Sequence, residues 1–244
     1  MSWETKTDYC GLATGGNATY IQIKSSSENR SSQYLEKLGQ EGEIVATKLY
    51  GTNNAQPSCE YVIKKAGSIT VQIGKVTTID GKRYALQQVV YTSAAGSEPT
   101  LTATSVQIES TTDGEDRMFE AVTLEVNPEE TAQVTLSAAT MSGSGCEITG
   151  TTTTISGTVS PHTVNGDPVA SGVHSGKVEE ELTIGQYSST APTIAAGTGF
   201  EISQSPTVND PDSDMPEWTA KVTKPLSLAS SGSGSGGDDS GSGT

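Results

Sequence analysis

The chain has 244 residues, a formal net charge of −15 and only 32% hydrophobic residues. Its 29 Asp and Glu against 14 Lys and Arg argue against gripping nucleic-acid phosphates, which requires positive charge. Ile, Leu, Val and Phe make up roughly 18% of the residues, a low fraction that together with the charge is typical of disordered chains. Because alternating segments recur along most of the sequence, we predict instead a folded β-protein with a thin core, stabilised by association between copies.

The first half of the chain predicts a series of short strands separated by turn-rich segments. "ATYIQIK" (residues 18–24) predicts the first strand, and "QYLEKLGQEGE" (33–43) predicts one helical turn before Gly39. "EIVATKLYG" (43–51) and "SCEYVIKKAG" (58–67) predict the next two strands.

The clearest local signal is a hairpin centred on Asp80-Gly81. Both residues suit the positive φ angles of a type I′ turn. Pairing outward from this turn sets Val76 opposite Ala85. The apolar alternation then changes phase on both arms, at Gly74-Lys75 and at Gln87-Gln88. A shift shared by two paired arms predicts a bulge that bends the hairpin.

The second half predicts another β-meander, and the two halves are separated by a short polar segment. We therefore predict an all-β protein, an antiparallel β-sandwich or barrel built from two β modules with a projecting hairpin. The predicted units are a first β domain (1–110), a polar boundary (111–117) and a second β domain (118–226). Residues 227–244 have flexible-linker composition, and we expect a disordered Gly/Ser/Asp tail there.

"TTTTISGTVS" (residues 151–160) predicts a strand with few apolar residues to bury. The segment that follows (158–177) contains Asn165-Gly166, a tight-turn signal, and Pro168, which restricts the return strand to an edge or an irregular arm. A polar hairpin of this kind is either a mobile loop or an arm that docks on a neighbour. For the second case, the predicted subunit-interface residues are Thr151, Thr153, Ile155, Pro161, Asn165, Gly166 and Pro168.

The familiar catalytic patterns are missing from the sequence. No Gly-Lys pair is followed by Ser or Thr, and neither a GxSxG nor an HExxH pattern occurs. Cys146 could pair with His162 or His174 in a nucleophilic site, but no local pattern supports it. We predict that the chain has no enzymatic activity and no cofactor.

Metal binding is also not predicted. The alternating acids in "NDPDSDMPEW" could present oxygens to calcium, but the glycine and the final glutamate of an EF-hand loop are absent. An acidic surface turn is the favoured interpretation, and the residues concerned are Asp210, Asp212 and Asp214.

Cysteine usage and the start of the sequence bear on where the protein is made. Cys10, Cys59 and Cys146 are few, far apart and without zinc spacing, so we expect small buried thiols in a reducing cytosol. The start "MSWETKTDYC" has no signal-peptide pattern, and no apolar run is long enough to span a membrane. We therefore expect cytosolic synthesis and assembly, without membrane insertion.

Three segments carry a family resemblance: "KVTTIDGKRY" (75–84), "PHTVNGDPVASGVHSG" (161–176) and "PEWTAKVTKPL" (216–226). With the acidic, Thr/Ser/Gly-rich β-pattern, they make residues 21–226 resemble tail-tube and related minor tail proteins of tailed bacteriophages. The Gly/Ser tail departs from a plain tube subunit.

The resemblance implies a virion structural protein. Its β-sandwich or barrel subunits would join into rings or a tube with an acidic lumen for DNA passage, and extended hairpins or termini would lock one ring to the next. Its partners would be further copies of the chain and other tail proteins, with no sequence-specific binding of nucleic acid. Its location would be the virion tail, assembled in the cytoplasm of the bacterial host.

Two other hypotheses come from different functional classes. The first is a decoration or host receptor-binding protein of the virion, built from Ig-like modules whose exposed loops hold a capsid or a host surface. The second, and weaker, is a hydrolase. Ring or tube formation favours the tail hypothesis, whereas discrete monomers or knobbed trimers favour the first alternative.

Overall fold

The computed structural model describes residues 6–30, 33–41, 43–50, 55–108, 118–132, 136, 138–142, 145–164, 167–186, 191–209 and 216–229. Most of these residues belong to β-strands. They form fifteen strands and one 3₁₀-helix (Gly15–Thr19), with no α-helix among them. The predicted all-β class is confirmed.

One large antiparallel sheet organises the molecule. In spatial order its strands are β1 (Ile21–Arg30), β4 (Ala55–Ile63), β8 (Ser97–Ile108), β7 (Lys82–Ala94), β11 (Cys146–Val164), β12 (Asp167–Gln186), β15 (Glu217–Leu226) and β14 (Glu201–Val208). The short strand β6 (Val76–Ile79) pairs with the first residues of β7, beyond the point where β11 leaves β7. Within the described residues the sheet does not close into a barrel, and β1 and β14 are its edges.

Three two-stranded sheets complete the fold. They pair β2 (Gln33–Leu38) with β3 (Ile44–Tyr50), β5 (Gly67–Val71) with β9 (Val122–Val126), and β10 (Ala139–Ser142) with β13 (Thr193–Ala196). The β5–β9 pair contributes Ile69 and Leu124 to the larger apolar cluster, and the β10–β13 pair contributes Ile194 to the smaller one. These two pairs therefore form the second layer of a sandwich over one face of the large sheet.

Along most of each strand of the large sheet, residues of the inner face alternate with residues of the outer face. One row of directly paired inward residues crosses seven neighbouring strands, and it consists of Ile23, Tyr61, Leu101, Tyr91, Thr153, Glu180 and Val222. The six residues from Tyr61 to Val222 are at most 3% exposed. Successive side chains of a strand point to opposite faces. On each strand, the residues that come directly before and after a member of this row therefore lie on the outer face.

The predicted Asp80-Gly81 hairpin is present, with positive φ angles of 50° and 75° and Val76 opposite Ala85. The bulge is confirmed as well: the Gly74 N–H donates to Leu86 O, and the Leu86 N–H donates to Lys75 O, so two residues face one. The arms do not continue together beyond it, however. The chain at Gly74 crosses to the second layer, where β5 pairs with β9, and β11 takes the vacated place beside β7.

The two halves of the chain do not form separate modules, which corrects the predicted division into 1–110 and 118–226. β7 and β8 of the first half pair with β11 and β12 of the second. The larger apolar cluster joins residues of both halves, such as Tyr91 and Ile155. A shared sheet buries more apolar area than two small cores could, which suits a chain poor in apolar residues. The predicted boundary 111–117 lies outside the described residues.

The structure corrects two further predictions, the helical turn in residues 33–43 and the start of the C-terminal tail. The predicted helical turn in residues 33–43 is instead strand β2 and its turn to β3, so pairing with β3 overrides helix propensity there. The prediction of a disordered tail from residue 227 is wrong for its first three residues. Ser227 accepts a hydrogen bond from the Glu120 N–H, and Leu228 forms a β-bridge with Phe119. Residues 230–244 lie outside the described residues.

Candidate assembly surface

The threonine-rich stretch of β11 lies in the middle of the large sheet. From Gly150 to Ser156 its backbone pairs with β7 on one side and with β12 on the other. Both rows of backbone N–H and C=O groups are therefore satisfied within the chain. The prediction that another copy pairs with this stretch is wrong, because the chain itself supplies both neighbours.

The side chains of this stretch are also covered by the same chain. Thr151, Thr153 and Ile155 are 2%, 1% and 0% exposed on the inner face, so they are not interface residues. On the neighbouring strand β7, two buried hydroxyls donate hydrogen bonds to backbone carbonyls of the loop that follows β9. Tyr91 Oη donates to Asn127 O at 3.3 Å, and Ser93 Oγ donates to Thr131 O. Hydroxyls can thus occupy an inner face when loop carbonyls of the second layer accept their hydrogen bonds.

The outer face of the sheet is rich in hydroxyl groups and open to solvent. It carries threonines on three adjacent strands, namely Thr100, Thr102 and Thr104 on β8, Thr92 on β7, and Thr152 and Thr154 on β11. All six are at least partly exposed. Thr92 Oγ1 and Thr152 Oγ1 lie 3.4 Å apart across the β7–β11 pair. The remainder of this face carries side chains of both charges.

Ion pairs flank this hydroxyl-rich face on both sides. Lys24 contacts Glu60 at 2.7 Å, and Lys221 contacts Glu181 at 2.6 Å. Hydrogen bonding to Glu60 raises the pKa of Lys24, and the same contact lowers the pKa of Glu60. These side chains are 31–52% exposed, so the pairs balance charge on the face more than they stabilise the fold.

Beyond the sheet, β11 and β12 continue as a two-stranded arm, which we define as residues 157–164 and 167–176. Its pairing runs from Gly157 opposite Gly176 to Val164 opposite Asp167, with register shifts around Val159. At about 3.3 Å per residue, eight residues span about 26 Å if the arm is straight. The predicted projecting hairpin therefore corresponds to a long paired ribbon.

The base of the arm packs on the chain's own core, and its return strand meets β8. Val173 is 1% exposed and belongs to the larger apolar cluster, against which Val159 also packs. Ala170 forms a parallel bridge to Ile108 at the end of β8. The arm is thus anchored along its base. Residues 161–164 and 167–169 form its outer segment, which leads to the turn.

The remaining predicted interface residues lie in this outer segment. Pro161 is opposite Ala170, and Pro168 is opposite Thr163, so both prolines sit in paired backbone. Asn165 and Gly166 lie outside the described residues. These four positions stay a predicted interface.

The sheet edges are a second candidate surface, which the sequence pattern did not reveal. No described strand pairs with the outer edge of β1 or of β14. The register of β14 on β15 shifts twice, around Gln204, and the Ile202 side chain is 43% exposed. An unpaired edge presents free backbone N–H and C=O groups to another strand.

The hypothetical nucleophilic site is not assembled. Cys146 and His162 lie at opposite ends of the same strand, and sixteen residues of extended chain span about 50 Å. His174 lies on β12, twelve residues from Gln186, the residue that pairs with Cys146. Neither histidine can reach this thiol.

The described residues hold no group of three or more His, Cys, Asp or Glu side chains placed to bind a metal ion. The predicted acidic turn with Asp210, Asp212 and Asp214 lies outside them. Of the helices in the described part, none is long and apolar enough to cross a membrane. No protein-family model matches the chain, and no curated protein does.

Proposed function

We propose that this chain is a structural subunit of a bacteriophage tail, a tail-tube or tube-associated protein whose copies join into rings for DNA passage. The arm formed by residues 157–164 and 167–176 carries the proposal. A two-stranded ribbon is marginally stable in water on its own, so its outer part gains stability by lying against another surface. A second copy of the chain in the next ring is the partner we assign to it.

The edges of β1 and β14, with which no described strand pairs, support the same assignment. An edge of β1 in one copy and an edge of β14 in the next are different surfaces, and a joint between them is heterologous. Heterologous joints generate rings when the rotation closes. Long unpaired edges are a hazard for a monomer, and a ring joint removes that hazard.

The acid excess of the chain supports a role around DNA without binding to it. With 29 acidic against 14 basic residues, unneutralised carboxylates repel phosphates and let DNA pass. In this proposal the protein resides in the virion tail with other tail proteins, after assembly in the host cytoplasm.

Electron microscopy of the purified protein, with light scattering for mass, tests the proposal. Rings or stacked tubes are expected. Discrete monomers or knobbed trimers at high concentration would contradict it and favour a decoration or receptor-binding protein.

An arm-shortened variant sharpens the test. Residues 162–169 are replaced by Asn-Gly, which leaves the buried Val173 and the bridge between Ala170 and Ile108 in place. The variant should keep its β-type circular dichroism and lose higher assembly. A matched control replaces residues 37–46 of the β2–β3 hairpin, in which Lys37 pairs with Ala46, by Asn-Gly. Assembly that survives in the arm variant, or that is lost equally in both, would overturn the assignment of the arm.

A further inference from the structure

Cys10 and Cys59 meet inside the protein although they are far apart in the sequence. Cys10 lies in the segment before β1 and is 1% exposed, and Cys59 lies on the inner face of β4 and is 0% exposed. Both belong to the larger apolar cluster, and their thiols are hydrogen-bonded to each other.

A second contact holds the same two segments in register. Tyr61 Oη donates a hydrogen bond to Asp8 Oδ1 at 2.6 Å. Tyr61 lies two residues after Cys59 on β4, and Asp8 lies two residues before Cys10. Asp8 Oδ2 also accepts from the Ala13 N–H at 2.8 Å, which fixes the turn containing Cys10. The thiols are therefore held together by an ordered segment.

The surroundings of Cys59 favour its thiolate. The hydrogen bond from the Cys10 thiol, with backbone N–H groups of Cys10 and Tyr9, lowers the pKa of Cys59 to about 7 against the opposing effects of burial and of the negative charge of Asp8. The same thiol contact and burial raise the pKa of Cys10. At rest the pair thus combines one thiolate with one neighbouring thiol.

A cleft opens beside Cys10, and Cys59 does not line it. Cys10 lines an open cleft of about 270 Å³ formed by the glycine-rich segment 11–17 and by residues around Thr70 and Lys75. Water-sized oxidants such as hydrogen peroxide fit this space, whereas a protein oxidoreductase does not.

We propose that Cys10 and Cys59 are a modification site that closes to an intramolecular disulfide when the protein meets a peroxide. The Cys10 proton passes to the Cys59 thiolate, and the sulfur of Cys10, the residue that lines the cleft, attacks one peroxide oxygen and breaks the O–O bond, which gives a sulfenic acid and hydroxide. Hydroxide takes the proton from Cys59 and leaves as water. The Cys59 thiolate then attacks the sulfenic sulfur, forms the S–S bond and releases a second hydroxide, which a solvent proton neutralises. The net reaction converts two thiols and one peroxide into a disulfide and two waters.

The disulfide fastens the N-terminal segment to the large sheet. This inference is independent of the proposed function, because it concerns a reaction within one chain. The third cysteine is a built-in control: Cys146 is half-buried at the start of β11 and is free.

The test is peroxide treatment of the full-length protein, followed by thiol counting under denaturing conditions and peptide mapping. The free thiols should fall from three to one, with a Cys10–Cys59 cross-link and an unmodified Cys146. The melting temperature should rise by about 5–15 °C and return to its original value with dithiothreitol. Cys10→Ala and Cys59→Ala should abolish the cross-link, and Cys146→Ala should retain it.

The pH dependence of the reaction provides a second readout. With a thiolate that forms around pH 7, the oxidation rate should rise about tenfold between pH 6 and pH 8 and then level off. A rate that rises more steeply and continues to rise above pH 8 would assign the reaction to an ordinary thiol. Three unreacted thiols, oxidation of Cys146 alone, or sulfinic acid without a cross-link in the wild-type protein would overturn the proposal.

Discussion

Thr153 lies directly opposite Glu180 in the β11–β12 pair, and its hydroxyl donates a hydrogen bond to Glu180 Oε1 at 3.4 Å. Both side chains are almost completely buried, at 1% and 0% exposure. They lie where the two apolar clusters meet, with Val178 on one side of Glu180 and Leu182 on the other. An inward hydroxyl of β11 thus donates a hydrogen bond to a buried side chain of the same chain.

Replacing Thr153 by valine tests this role. The change keeps the side-chain shape and removes one hydrogen bond to a buried carboxylate, so the free energy of unfolding should fall by about 1–3 kcal/mol. Urea unfolding followed by circular dichroism measures it. Thr154→Val, one residue away on the outer face, is the matched control and should change stability by less than about 0.5 kcal/mol. Equal effects of the two substitutions would contradict the inward role of Thr153.

Gly157 is the point at which β11 leaves the sheet and becomes the arm. A Cβ atom there would run into the side chains of Val173 and Ile73, whereas one at Gly150 on the same strand would meet its neighbours at ordinary contact distances. Gly157→Ala should therefore destabilise the protein by about 1–3 kcal/mol through overpacking. Gly150→Ala should be tolerated. Thermal unfolding of the two variants compares them, and a stable Gly157→Ala protein would show that the arm base is not tightly packed.

The C-terminal tail should be dispensable only beyond residue 229. A chain that ends at Ala229 keeps the bond from the Ala229 N–H to Met118 O at 2.9 Å and the bridge at Phe119. A chain that ends at Leu226 loses both and should be less stable by about 1–3 kcal/mol. Denaturant unfolding of both truncations separates the two ends. Equal stability would mean that residues 227–229 contribute nothing.

Purified assemblies should not retain duplex DNA, even at low salt. The chain carries a net charge of −15, and its carboxylates repel phosphates most strongly where salt screening is weak. Co-sedimentation with labelled duplex at about 20 mM salt measures retention. Salt-sensitive binding in the micromolar range would contradict a lumen that lets DNA slide.

Features that depend on a few neighbouring residues could be predicted from the sequence. The β-class follows from alternation with a period of two, and the hairpin at Asp80-Gly81 follows from two residues that accept positive φ. The bulge at Gly74 followed from the phase change that it imposes on both arms. Each of these signals is local, because backbone dihedral preferences and face alternation act within a few positions.

Only the tertiary structure decided which strands are neighbours. Every strand offers the same N–H and C=O groups on both edges, so the pattern of residues 151–160 could not distinguish an edge strand from the central strand β11. For the same reason, the sequence could not predict that both halves share one sheet, or that Cys10 contacts Cys59. The favoured pairing is the one that buries the most apolar surface and satisfies the most buried polar groups, and it is a property of the whole chain.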